Sequence, residues 1–229
     1  MNRFAEHYFE DIEAKLLGDD RETNAPQGWH ELMHLKPSDR IEFVRDFWLA
    51  TLPYTPHISD FFHEFFASLD DIAVYVVGSR AMMVYSLSDN ATFFIGNPPF
   101  VGTVETEEKL PEGYLQFFKI HNGFHKVHDT GIIPAESLKQ VTLAFREKVA
   151  LLEIKSHGEL VDPKTLFPFY HSFTTENYQC FYNQYYADGE MGNIYCSLED
   201  RIISESFHSA DLSFPTFEDW LIFYLEVIE

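Results

Sequence analysis

The chain has 229 residues, 45% of them hydrophobic, with 23 Phe and 12 Tyr. That length allows one large domain, or a domain with a sizeable extension, that needs no metal or disulfide staple; the aromatic content argues for a filled core and against disorder. Lys and Arg total 16 against 37 Asp and Glu, a formal net charge of −21, which repels phosphate backbones and anionic membranes and suits a basic protein partner or plain solubility.

The N-terminal stretch MNRFAEHYFEDIEAKLLGDD is amphipathic and acidic and lacks the apolar run of a signal peptide. No segment approaches 18 consecutive apolar residues, so nothing is expected to span a membrane and a cytoplasmic location is expected. Two cysteines, Cys180 and Cys196, do not make a secreted disulfide framework.

In chain order, Phe4, Tyr8, Ile12, Leu16 and Leu17 recur at helical spacing and predict a helix over 3–17, ended by Gly18. A short helix is expected around Trp29–Leu35. A longer one follows Pro37 with Ser38 as its N-cap, and another starts at Ser59-Asp60 and carries Phe61, Phe62, Phe65 and Phe66. The texture then changes. Residues 72–77, 82–86 and 92–95 are short β-rich runs divided by Gly78-Ser79 and Asp89-Asn90.

Pro111 suits the first turn of a helix presenting Tyr114, Leu115, Phe117 and Phe118, and Asn122-Gly123 closes it. A strand-like Gly131–Pro134 precedes a helix from Glu136 to about Ile154. Leu166–Tyr170, Tyr178–Tyr186 and Asn193–Leu198 read as strands, the last two joined as a hairpin around Asp188-Gly189 and Gly192-Asn193. Ile202–Ser206 is a further short strand, and Phe217–Ile228 a closing helix.

Two histidine patterns bear on catalysis. His30-Glu31-Leu32-Met33-His34 is an H-E-x-x-H string, which on a helix can chelate zinc through its histidines with Glu31 as general base. Pro37 stops that helix early and no third ligand follows closely, although a distant Glu64 could serve, so an ordinary surface helix is the expectation and zinc hydrolysis the alternative. His121, His125 and His128 are separated by Asn122-Gly123 and read as solvent-exposed loop histidines, with Asp129 the obvious further ligand if a metal bound there. There is no G-x-S-x-G elbow and no phosphate-binding glycine loop, so neither a catalytic residue nor a cofactor is expected. The expected hairpin register sets Cys196 opposite a residue near Asn183 and leaves Cys180 about three positions away, both as small buried hydrophobes.

From His171 onward the chain carries eleven acidic residues against one base, Arg201. Glu176, Asp188, Glu190, Glu199 and Asp200 fall in or beside the hairpin, next to Tyr182 and Tyr185, and together they are the candidate docking surface for a cationic partner.

Leu110-Pro111-Glu112-Gly113-Tyr114-Leu115-Gln116-Phe117-Phe118, followed by His121-Asn122-Gly123-Phe124, resembles the opening of the SUKH superfamily, which includes yeast cell-wall glucan synthesis regulators and many bacterial immunity proteins. Gly131–Pro134, Leu166-Phe167-Pro168-Phe169 and Phe214-Pro215-Thr216-Phe217-Glu218-Asp219-Trp220-Leu221 follow in the family's order, over about residues 100–229. The resemblance implies an α+β fold in which a twisted, mainly antiparallel sheet packs against helices, with no catalytic centre. On this reading residues 1–70 form a helical N-terminal extension and 71–229 the SUKH-like domain. It also implies a partner: a toxin domain, often a nuclease, or else signalling or cell-wall enzymes.

Overall fold

The computed structural model describes residues 14–18, 23–88, 92–104, 106, 109–156, 159–172, 175–186, 189–204 and 212–226. Residue contacts divide the chain into two units, one of Met1–Val101, Gln116–Val127 and Val227–Glu229, the other of Gly102–Leu115 and His128–Glu226.

The first unit opens with β1 (Ala14–Leu16), an edge strand pairing antiparallel with residues 75–77. Most of the helix expected over 3–17 lies outside the described residues, but its last turn is a strand. The neighbouring strand supplies its hydrogen bonds and Leu17 is buried, so tertiary pairing overrides the helical propensity of Ala14-Lys15-Leu16-Leu17.

Three helices follow: α1 (Gln27–Met33), α2 (Pro37–Thr51) and α3 (Pro56–Ala67). Both longer helices start on a proline, whose fixed φ fits the first helical position and forces the preceding residue to stay extended. The expected start points are therefore corrected. Lys36, not Ser38, is the N-cap of α2, and Ser38 spends its hydroxyl on the Asp39 carboxylate; α3 begins three residues ahead of Ser59.

Strands β2 (Leu69–Val77), β3 (Arg80–Leu87) and β4 (Phe93–Gly96) fall on the three β-rich runs expected and pair as an antiparallel meander. Then α4 (Glu112–Phe117) contains the division between the units, and β5 (Phe124–Lys126) pairs antiparallel with β4. The sheet order in this unit is β1-β2-β3-β4-β5. Ile72 to Val76 are all buried, so β2 is covered on both faces and reads as a continuous apolar run instead of an alternating one. Trp48 of α2 is wholly buried, with the rings of Phe62, Phe66, Tyr85, Phe117 and Phe124 edge-on to it at centroid distances of 5.5–5.9 Å.

The second unit holds β6 (Gly131–Ile132), α5 (Ala135–Leu152), the short pair β7 (Lys155–Ser156) and β8 (Glu159–Leu160), then β9 (Leu166–His171), β10 (Asn177–Tyr186), β11 (Met191–Ser197), β12 (Ile202–Ile203) and α6 (Phe217–Leu225). Its main sheet runs β6-β9-β10-β11-β12, antiparallel throughout. Phe145 and Val149 of α5 pack with Leu166, Tyr178, Cys180, Ile194 and Cys196. Residues of opposite parity, Phe169 and Phe181, pack instead with Tyr114 and with Phe217 of α6. The protein is thus an α+β protein built on antiparallel strands.

The hairpin register corrects the one expected. Tyr178 faces Cys196, and Cys180 faces Ile194. The pairing shifts between Phe181 and Tyr186, so the irregularity and not simple counting from the turn sets which residues meet. Cys180 and Cys196 are diagonal neighbours on the α5 side, and both are free thiols.

Candidate functional site

The H-E-x-x-H string does not assemble a metal centre. Helix α1 ends at Met33, and the His34 backbone N–H turns back onto the Glu31 carbonyl at 3.1 Å. His34, Glu31 and Glu64 are exposed and His30 is half-buried. Among the described residues no group of three or more His, Cys, Asp or Glu could hold a metal ion.

The second histidine pattern is corrected at its first member. His121 is 1% exposed, not a solvent-facing loop residue. Its Nδ1 lies 2.9 Å from the Asn97 carbonyl, which accepts and so fixes the proton on that nitrogen. Nε2 then accepts from the Tyr85 hydroxyl at 2.6 Å, and the Tyr85 oxygen accepts from Trp48 Nε1–H at 3.3 Å. Burial pushes the imidazole down to about 4, against the partial pull of the Asn97 hydrogen bond. The chain of bonds is satisfied with His121 neutral, so its role is to order a core. His125 is half-buried and His128 is exposed.

The cysteines are equally inert. Burial lifts the Cys180 thiol well above its ordinary range and Cys196 to about 12, so neither is a thiolate nucleophile near neutrality.

The expected acidic surface separates into two. Glu176, Glu199 and Asp200 sit where Asn177 pairs with Ser197, at the open end of the hairpin. Glu190 sits at the other end, next to Met191, about 20 Å along the strand at the usual rise per residue. Asp188 lies outside the described residues. At the open end the charges are partly committed: Glu176 is ion-paired with Lys148, and the Asp200 carboxylate accepts from Ser197 Oγ at 2.9 Å. Tyr182 and Tyr185 are partly buried against the α5-side core, with the Tyr182 hydroxyl donating to Gln184 at 2.7 Å.

What the sequence reading did not join is the set that meets Glu190. Thr216 caps α6, its hydroxyl accepting from the Asp219 N–H at 3.1 Å and donating to the Asp219 carboxylate at 2.7 Å. That capped turn places Glu218 on the inner side, 3% exposed, with its Oε1 against the α-carbon of Gly113. A side chain at position 113 would overlap the Glu218 carboxyl, so the glycine of Leu110-Pro111-Glu112-Gly113-Tyr114 is there for close approach. Burial raises Glu218 to about 7; its own backbone N–H lowers it, and Glu190, Asp219 and Glu112 raise it further.

The hairpin holds this segment in place through Asn193, which is wholly buried. Its backbone exchanges two 2.9 Å hydrogen bonds with Phe214, its Nδ2 donates to the Thr216 carbonyl at 2.8 Å, and its Oδ1 accepts from Gln179 at 2.8 Å. The signal that could have found the site was present: acidic residues beside the apolar anchors, Glu112 two residues before Tyr114 and Glu218-Asp219 directly after Phe217. Only the fold brings those two segments to the turn that carries Glu190.

A family model, the SMI1 / KNR4 family (SUKH-1), matches residues 105–222, just over half of the chain. No curated protein and no solved structure matches it. No helix among the described residues is long and apolar enough to cross a membrane.

Proposed function

The chain belongs to the SMI1 / KNR4 family (SUKH-1), and we propose that it is a non-enzymatic protein-binding member that neutralises a cationic, nuclease-type toxin domain in the cytoplasm. One observation carries the reading: at a net charge of −21, the charges of Glu112, Glu190 and Asp219, from three separate segments, all act on the buried carboxyl of Glu218. A nuclease site is basic because it must hold phosphate, so an anionic surface both attracts it over distance and occupies the groove the nucleic acid would take. Neither the neutral buried His121 nor the two buried thiols supplies a group suited to catalysis.

The test is kinetic. Binding to a nuclease domain encoded beside this chain should associate fast at low salt and slow roughly tenfold or more by physiological salt, with nuclease activity lost at equimolar ratio. Equal association rates at both ionic strengths would sink the reading. Recovery of cellular signalling or cell-wall enzymes in place of a toxin would support the alternative, a regulatory interaction module.

A further inference from the structure

Helix α2 is anchored on one side and open on the other. Arg40, Val44 and Trp48 are its buried residues, and the rings packed edge-on around Trp48 fix the helix against the core of the first unit. On the outside, Asp39, Phe43 and Phe47 follow one another at four-residue steps, and Glu42, Asp46 and Ala50 do the same in the next row. All six are exposed. Residues four apart are neighbours on a helix surface, so an aromatic ridge runs alongside an acidic one.

Phe43 is 57% exposed and Phe47 43%, and among the described residues they are the only exposed phenylalanines. The helix gains nothing from them, since phenylalanine is a poorer helix former than the Ala, Glu or Lys suited to a solvent-facing position. Single exposed apolar residues are ordinary, but two adjacent rings on one fixed ridge have the form of an anchor pair. The charge beside them is acidic. Asp46 is ion-paired with Arg45 at 2.8 Å, and Lys36 lies at the N-cap ahead of both rings, which leaves Asp39 and Glu42 flanking Phe43. A second copy of this face would set like charges together on chains of −21 each, and an anionic membrane would be repelled in the same way.

We infer that this face of α2 docks an amphipathic helix of a basic partner protein, whose apolar stripe covers Phe43 and Phe47 and whose lysines or arginines meet Asp39 and Glu42. Helices pack when the ridge of one enters the groove of the other, and the Phe43-Phe47 ridge offers a groove on either side. The face lies outside residues 105–222, where the family model matches. The inference rests on the binding reading above and names the contacting element on each side.

The probe is a Leu/Lys amphipathic peptide of about 18 residues, long enough to lie along α2, titrated into the full chain by fluorescence anisotropy beside a counterpart with Glu for every Lys. The Lys peptide should bind, and the Glu peptide should bind at least roughly tenfold more weakly. Phe43→Ser with Phe47→Ser, which alters exposed side chains alone, should weaken the Lys peptide roughly tenfold with an unchanged circular dichroism spectrum. Asp39→Asn with Glu42→Gln should weaken it several-fold at low salt and lose that difference at high salt. Leu143→Ser with Leu151→Ser, a similar loss of exposed apolar surface on α5, should leave binding within about twofold. The inference is overturned if the phenylalanine pair binds like the leucine pair, if the Glu peptide binds as well as the Lys peptide, or if the Lys peptide does not bind. Sedimentation showing that the two phenylalanines instead hold two copies of the chain together would overturn it as well. The wider binding reading fails separately, on its salt-dependent association rate with the nuclease domain.

Discussion

The imidazole of His121 occupies the space that a side chain on residue 96 would need, so Gly96 and His121 are a matched pair across the sheet of the first unit. A glycine inside a strand marks the close approach of another group, and here that group is a buried histidine ring bonded to Tyr85 and to the Asn97 carbonyl.

Replacing that glycine tests the packing. Gly96→Ala must push the ring off its two hydrogen-bond partners or bend β4, and should cost about 1–3 kcal/mol, more if the Tyr85 bond breaks. Urea unfolding of the variant against wild type measures it, and a change within experimental error would show that the ring relaxes freely.

Two buried groups give the stability opposite pH dependences. His121 has its folded value lowered from 6.5 to about 4, so the unfolded chain binds the proton first and stability is lost as pH falls from 6.5 through 4. Glu218 has its folded value raised from 4.5 to about 7, so its contribution is complete below 4.5 and is lost as pH rises through 7. Each limb amounts to about 3 kcal/mol at most, and between pH 4.5 and 6.5 they oppose one another. Glu218→Gln should therefore gain about 2–3 kcal/mol relative to wild type on going from pH 4.5 to 8, and His121→Asn should gain relative to wild type on going from 7 to 4. Denaturant unfolding at three pH values checks both signs.

The thiols offer a test of how the hairpin packs against α5. Cys180 and Cys196 both lie in the core between β10, β11 and α5 with no side-chain exposure. Ellman's reagent should find no reactive thiol in the folded chain and two in guanidinium. Rapid native reaction of either one would contradict this placement.

Strand and helix positions were largely legible because their signals are local. The runs from Ile72 to Ile95, the helix after Pro111 and the aromatic closing helix all lie where periodicity and proline placed them. The failures share one cause. Ala14–Leu16 is a strand because β2 offers it hydrogen bonds, and His121 is buried because Gly96 leaves room for its ring. The cysteines are diagonal neighbours because the hairpin pairing shifts between Phe181 and Tyr186. None of these partners is near in sequence to the residue it governs.

By itself the sequence determined the acidic charge, the order of elements and the motif set that identifies the family, since these follow from composition and from contacts within a few residues. The tertiary structure alone decided which carboxylates act together. It divided the expected acidic face between two ends of a hairpin, and it turned Glu218 inward onto Gly113 beside Glu190. The reason is physical: a charge is felt across space, through the low-dielectric interior, and the distances that set its strength exist only once separate segments have packed.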